Sequence, residues 1–193
     1  MERGPVVPSS GVLRPVSPDA ARITGGFWAT RQAANTGGTL PHAHAWMDRL
    51  GWTGHPEIET ALVEWYRVTG ERRYLEQARL FVARRGHRSL PEHEFGWGYF
   101  NDDVPVGAAD VLHGHAVRAL YLASGAVDVA VETGDGDLLD AVVRQFDRTL
   151  ARRTYLTGGM GSRHQDESFG ADFVLRARRG PATMRVWLPA TPS

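Results

Sequence analysis

No cysteine occurs among the 193 residues. That absence excludes disulfides, thiolate metal sites and a cysteine nucleophile from this chain. Net charge is lacking too: 22 Lys and Arg balance 22 Asp and Glu, so no whole-chain field draws in nucleic acid or an anionic membrane, and neither is an expected partner. No apolar run approaches the roughly 18 to 20 residues that span a bilayer. The opening Met1-Glu2-Arg3-Gly4-Pro5 leads into no apolar stretch of signal-peptide length, and the expectation is a soluble, cytoplasmic protein without a membrane partner. The length suits one ordinary domain or part of a larger one. Nothing in the pattern sets an oligomeric state.

What is present is helical. Residues 1–22 carry Pro5, Pro8, Pro15 and Pro18 and read as an irregular arm, because proline fixes φ and removes a backbone donor. Phe27 to Leu50 could form a helix, but Gly37, Gly38 and Pro41 predict an interruption and a fresh start near Pro41. From His55 the signal strengthens. Pro56 suits a first helical position, Glu57 and Glu59 place negative charge at the positive end of the helix dipole, and Ile58, Leu62, Trp65 and Tyr66 share one face. Gly70 ends that helix. Glu71 opens another, with Tyr74, Ala78, Phe81 and Val82 in register up to Gly86.

Asp110 to Thr133 and Asp137 to Arg153 predict a second hairpin. Its turn matches the first: Thr69-Gly70-Glu71 and Thr133-Gly134-Asp135 lie at one offset of 64 residues. The fold class is therefore all-α, built of antiparallel helical hairpins, either a solenoid or a closed helical toroid. Beyond Arg153 the run Thr157-Gly158-Gly159-Met160-Gly161-Ser162 reads as a loop. It is not a phosphate loop, because no Gly-Lys-Ser/Thr follows. Residues 176–193, with four arginines and three prolines, look foreign to the helical body.

Eight histidines raise the question of a metal. The pairs His42/His44 and His113/His115 are two residues apart, and on a helix such side chains point roughly 200° from one another, which does not suit a shared ion. Taken singly, each is an ordinary surface or core histidine. Among the carboxylates Glu167 stands out, set in a loop of Gly, Ser and His beside Phe169. A loop glutamate in such company is where a general acid can be placed, although a solvated side chain is the commoner outcome for a lone Glu.

Three ordered runs carry a resemblance. The first is Gly54-His55-Pro56-Glu57-Ile58-Glu59, continuing through Ala61-Leu62-Val63 to Tyr66-Arg67-Val68-Thr69-Gly70; the second is Gly114-His115-Ala116-Val117-Arg118-Ala119-Leu120-Tyr121-Leu122. The third is Tyr155-Leu156-Thr157-Gly158-Gly159-Met160-Gly161-Ser162 with Glu167-Ser168-Phe169-Gly170. Together they resemble family 127 glycoside hydrolases, the β-L-arabinofuranosidase type, over residues 23–175. The resemblance implies a partial (α/α)6 toroid catalytic domain. It also implies release of non-reducing-end β-L-arabinofuranose from arabinofuranoside-containing glycans, with retention of configuration. By motif, Glu167 takes the general acid/base position and His55 and His115 take sugar-binding positions.

The departures are as specific as the match. Complete family members are expected to hold zinc, with a zinc-bound cysteine thiolate as nucleophile and a glutamate and two further cysteines as the other ligands. This chain has no cysteine, so no metal site and no cofactor are assigned to it. After Leu175 the family pattern gives way to the Arg- and Pro-rich tail, as a frameshift would produce. Helices are also missing between Leu50 and Gly54 and, over a shorter stretch, before Val104, so a full toroid cannot close and some apolar faces should be exposed. The expectation is a truncated, internally deleted hydrolase that is inactive alone. Two other readings compete: a helical-repeat module that binds a protein partner, and another (α/α) toroid carbohydrate enzyme needing no zinc thiolate.

Overall fold

The computed structural model describes residues 21–50 and 55–175. The tail expected over residues 176–193, and all but the last two residues of the arm, lie outside the described residues. Six α-helices are present among the described residues: α1 (Gly26–Ala34), α2 (Leu40–Leu50), α3 (Ile58–Thr69), α4 (Arg72–Arg84), α5 (Ala116–Thr133) and α6 (Gly136–Arg153). No strand forms among them, only two isolated bridges, His115 with Ser168 and Thr154 with Met160. No helix among the described residues is long and apolar enough to cross a membrane.

α3 and α4 form the first hairpin, and α5 and α6 the second. Both turns use one device. Gly70 and Gly134 adopt left-handed φ of 75° and 73° and donate their N–H to Tyr66 and Ala130, the αL termination that glycine makes cheap. The preceding threonines repeat as well, Thr69 Oγ1 donating to Trp65 O and Thr133 Oγ1 to Val129 O. The matched turns reflect matched helices. Glu59 of α3 meets Gly125 of α5, and Arg67 bonds Glu132 at 2.7 Å, so α3 and α5 run parallel at a register of 65 to 66, close to the sequence offset. The two turns therefore share one end of the body, and the segments leading into α3 and α5 share the other.

The core lies between these helices. Leu62 and Val63 from α3, Ala78 and Phe81 from α4, Ala126 and Val129 from α5 and Val142 from α6 are all buried in one cluster. Arg67 clasps the α3–α5 seam: it is nearly inaccessible and pairs with Glu64, Asp128 and Glu132 at 2.5, 3.1 and 2.7 Å. A smaller cluster of Leu112, Ala116, Ala119, Met160 and Phe169 fastens the loop after α6 to the start of α5.

Two boundaries differ from the sequence expectation, and a third is met in an unexpected form. The interruption expected near Pro41 takes the form of a π-helical turn, Asn35–Thr39, in which Leu40 N–H donates to Asn35 O, and α2 starts afresh at Leu40 without the chain leaving the helical path. The wider turn makes room for a proline that lacks a donor and would crowd the carbonyl four residues back. Pro56 lies in a turn ahead of α3, whose N-cap is Glu57. α5 begins at Ala116 and not at Asp110, because Gly114 (φ 68°) turns the chain and His115 caps the helix. α1 buries no residue and leaves Phe27 and Trp28 exposed.

Candidate active site

The segment entering α5 sets His115 against Glu167. His115 is the N-cap of α5, and its Nδ1 accepts the Arg118 backbone N–H at 3.5 Å. With Nδ1 an acceptor, the neutral ring carries its proton on Nε2, which lies 2.8 Å from Glu167 Oε2 and donates to it. The helix cap thus fixes the tautomer that grips the carboxylate. Burial pushes His115 below the ordinary histidine range, the Arg118 guanidinium adds to the shift, and the bond to Glu167 opposes it.

Glu167 is held from both sides. Its carbonyl accepts the Ala116 N–H at 2.9 Å, Phe169 N–H donates to Gly114 O at 2.9 Å, and Ser162 N–H donates to Ser168 O at 3.1 Å. Phe169 and Met160 anchor the loop in the smaller core. The backbone of Glu167 sits at φ 53°, a left-handed conformation that costs a non-glycine residue about 1 kcal/mol or more and persists only where neighbours enforce it. The carboxyl end remains half exposed while its histidine partner is 7% exposed. The result is a carboxylate presented to solvent on a rigid mount.

His55, just ahead of α3, packs edge-on to Tyr121 of α5 with ring centroids 6.0 Å apart, and its Nδ1 lies 3.6 Å from Glu57. Burial lowers its pKa; Glu57 opposes the shift, and the charges of Arg118, His115 and Arg85 add to it. All three residues singled out from sequence therefore gather at the end of the body opposite the Gly70 and Gly134 turns. His115 and Glu167 touch; His55 stands near, against α5.

Two neighbours escaped the sequence reading. The Tyr99 ring lies edge-on to His115 at 5.5 Å, and the Arg118 guanidinium sits 4.3 Å over Tyr99 and 4.9 Å over Phe100. Arg118 falls within the second motif, three residues after His115, and a helical turn from a capping histidine was the available signal. The histidine pairs diverge: His42 faces Trp46 and His44 faces Tyr74, while His113 bonds Asp103 at 2.8 Å and His115 bonds Glu167. A separate small pocket, lined by Val106, Leu112, Leu122 and Gln145 among others, lies between the loop that precedes α5, α5 itself and α6. It is mainly apolar and does not include Glu167.

A carboxylate and two imidazoles thus share one end of two paired antiparallel helical hairpins, the arrangement of part of an (α/α) toroid. The comparisons make this specific. The catalytic-domain profile of the GH127 β-L-arabinofuranosidases matches residues 23–179, and the chain belongs to that family. It is 37% identical over 141 residues to a non-reducing end β-L-arabinofuranosidase of Bifidobacterium longum subsp. longum, a match covering 65% of this chain and 21% of that protein. Among solved structures, a GH127 β-L-arabinofuranosidase from Geobacillus stearothermophilus T6 superposes with a TM-score of 0.60 at 34% identity, covering 64% of this chain and 22% of the other. A second GH127 β-arabinofuranosidase gives 0.56 at 39% identity, covering 61% and 18%. The chain thus spans about a fifth of the length of these relatives, and the fold is a partial (α/α) toroid.

Proposed function

We propose that this chain carries the acid/base side of a β-L-arabinofuranosidase site, with Glu167 as the proton donor and His55 and His115 as sugar-binding groups for a non-reducing-end arabinofuranoside. The observation that supports this most directly is the 2.8 Å bond between His115 and Glu167, made by a glutamate held in a left-handed backbone. A group that must give a proton to the leaving glycosidic oxygen and take one back from water has to be both fixed and accessible. Glu167 is both. The lowered pKa of His55 and of His115 keeps both neutral at neutral pH; His55 offers its ring to sugar hydroxyls, and His115, whose two ring nitrogens are bonded to Glu167 and the Arg118 N–H, would reach a hydroxyl by giving up one of those bonds.

The zinc and thiolate implied by the resemblance do not fit the residues present. The chain has no cysteine, and among the described residues no group of three His, Cys, Asp or Glu side chains is placed to hold a metal ion. No step is assigned to that centre. Retaining hydrolysis needs a donor on one side of the glycosidic bond and a nucleophile on the other. The acidic neighbours do not take the second role: Asp166 is buried beside Arg163 at 3.2 Å, and Asp172 is tied to Arg152 and Arg153.

The expected outcome is binding without turnover by this chain. Purified protein with added zinc is assayed on an aryl β-L-arabinofuranoside, with Glu167→Gln as control. Turnover that vanishes in the variant would overturn the reading of inactivity; failure to bind a β-L-arabinofuranoside at all would overturn the reading of the site.

A further inference from the structure

The loop between α4 and α5 is irregular, yet it is among the most tightly bonded parts of the chain. Asp102 is fully buried and accepts the backbone N–H groups of Gly86 and Leu90, each at 2.8 Å. Asn101 Nδ2 donates to His113 O, Arg85 Nη1 to Phe100 O and Arg118 Nη1 to Tyr99 O. Two non-glycine residues, Arg88 (φ 55°) and Asn101 (φ 57°), hold left-handed backbones within it. A loop that accepts this strain and is pinned by a buried carboxylate bonded to two of its backbone N–H groups is a built element.

What it builds is a row of rings leading away from the acid. Tyr99 lies against His115. His93 stacks on Tyr99 with centroids 4.2 Å apart and planes 12° from parallel. Phe95 closes the row 5.4 Å from His93 and 5.5 Å from Tyr99, and it is 43% exposed. The row thus runs from Glu167 through His115 and Tyr99 to an open phenyl ring.

We infer that the His93–Phe95–Tyr99 row is a subsite for the sugar on the leaving-group side of the scissile bond. The inference rests on the proposed role of Glu167. An acid that protonates the glycosidic oxygen must have the departing sugar beside it, and the row is continuous with the histidine that holds that acid. A sugar ring offers a face of C–H bonds with positive edges, and the negative face of an exposed phenyl ring is its complement. The occupant is a second, neutral saccharide ring. Arg118 lies on the Tyr99 face, whereas the open end of the row at Phe95 is flanked by the exposed carboxylates Glu92 and Glu94, which disfavour an anion there.

The test compares one ring with two. Calorimetric titration of the whole chain uses methyl β-L-arabinofuranoside and a β-L-arabinofuranosyl disaccharide, against the parent, Phe95→Ala, Phe95→Leu and Phe95→Trp. The disaccharide should bind the parent about five- to tenfold more tightly than the methyl glycoside, the order of one ring contact. Phe95→Ala and Phe95→Leu should erase that preference while leaving the methyl glycoside unchanged, and Phe95→Trp should keep it. Phe95→Leu retains apolar volume, so a loss there reports the ring and not the fold. Equal affinity of the parent for both ligands, an unchanged preference in the Ala and Leu variants, or equal weakening of both ligands each overturns the subsite and spares the role of Glu167. Failure of the parent to bind either ligand overturns both.

Discussion

Gly125 sits in the middle of α5 where that helix crosses α3, and replacing it with alanine sets two magnitudes against each other. Alanine favours a helix interior over glycine by about 0.8 to 1 kcal/mol. A Cβ at this position would stand 2.7 Å from Glu59 Cβ and 3.5 Å from Thr60 N, and the first of these is a contact that rotating a side chain cannot relieve. Glu59 is fully buried, and Arg85, 4.0 Å away, is nearly so, so relief requires the helices to separate. Overpacking of this kind costs about 1 to 3 kcal/mol. The clash should win, for a net loss of about 1 kcal/mol and a midpoint about 2 to 4 °C lower for a chain of this size. Thermal unfolding followed by circular dichroism reads it, with Gly107→Ala, where a Cβ meets nothing within 4 Å, as the control expected to stay within about 0.5 kcal/mol of the parent. A Gly125→Ala protein that melts at or above the parent would refute the account of the α3–α5 seam, and with it the spacing of His55 from His115.

Three further outcomes are expected. Glu167→Gly should be about 1 kcal/mol more stable than Glu167→Ala in chemical denaturation, since both lose the His115 bond and only glycine escapes the left-handed strain; equal stabilities would remove strain from the description of the acid. Arg67→Met should cost about 3 kcal/mol near neutral pH by stranding Glu64, Asp128 and Glu132, and the deficit should shrink on acidification as those carboxylates take up protons; a loss independent of pH would mean packing and not charge. His115 has a folded pKa below its ordinary 6.5, so the unfolded chain binds more protons below that value; stability should be fully present above about pH 6.5 and fall as pH drops through the folded value. His115→Gln should flatten the slope below about pH 6.5, measured by denaturant unfolding, and an unchanged slope there would assign it to other groups.

The helical hairpins were legible because their signals are local: the apolar stripes of α3, α4 and α6 and the two Thr-Gly turns needed nothing beyond helix period and αL termination. Glu59 shows where locality ends. Its place in the first turn of α3 read as a charge serving the helix dipole and did not disclose that it is fully buried, because a glycine 66 residues later lets α5 lie directly on it. The π turn before Pro41 was invisible for a related reason, since propensity registers that proline disfavours the helix but not that a wider turn can carry the helix past it. At the site, no periodicity distinguishes His55, His115 or Glu167 from other histidines and glutamates, so the motif resemblance singled them out. Tyr99 and Arg118 were missed because their meaning lies in a contact across 19 residues of chain, Arg118 Nη1 to Tyr99 O.

The parallel register of α3 and α5 has an engineering consequence. It places Gly70 and Gly134 at one pole and the segments that carry His55, His115 and the Glu167 contact at the other. Gly134 has nothing within 4 Å of a would-be Cβ, and the turn is closed by its own backbone. Reporter peptides, circular-permutation joints or surface tethers inserted there would stretch a connection whose ends are already adjacent, at a loop-closure cost that grows only slowly with length. The pole that carries His55, His115 and Glu167 would face outward from any support to which the chain was fixed, so the proposed site could be tested for glycan binding on an immobilised chain.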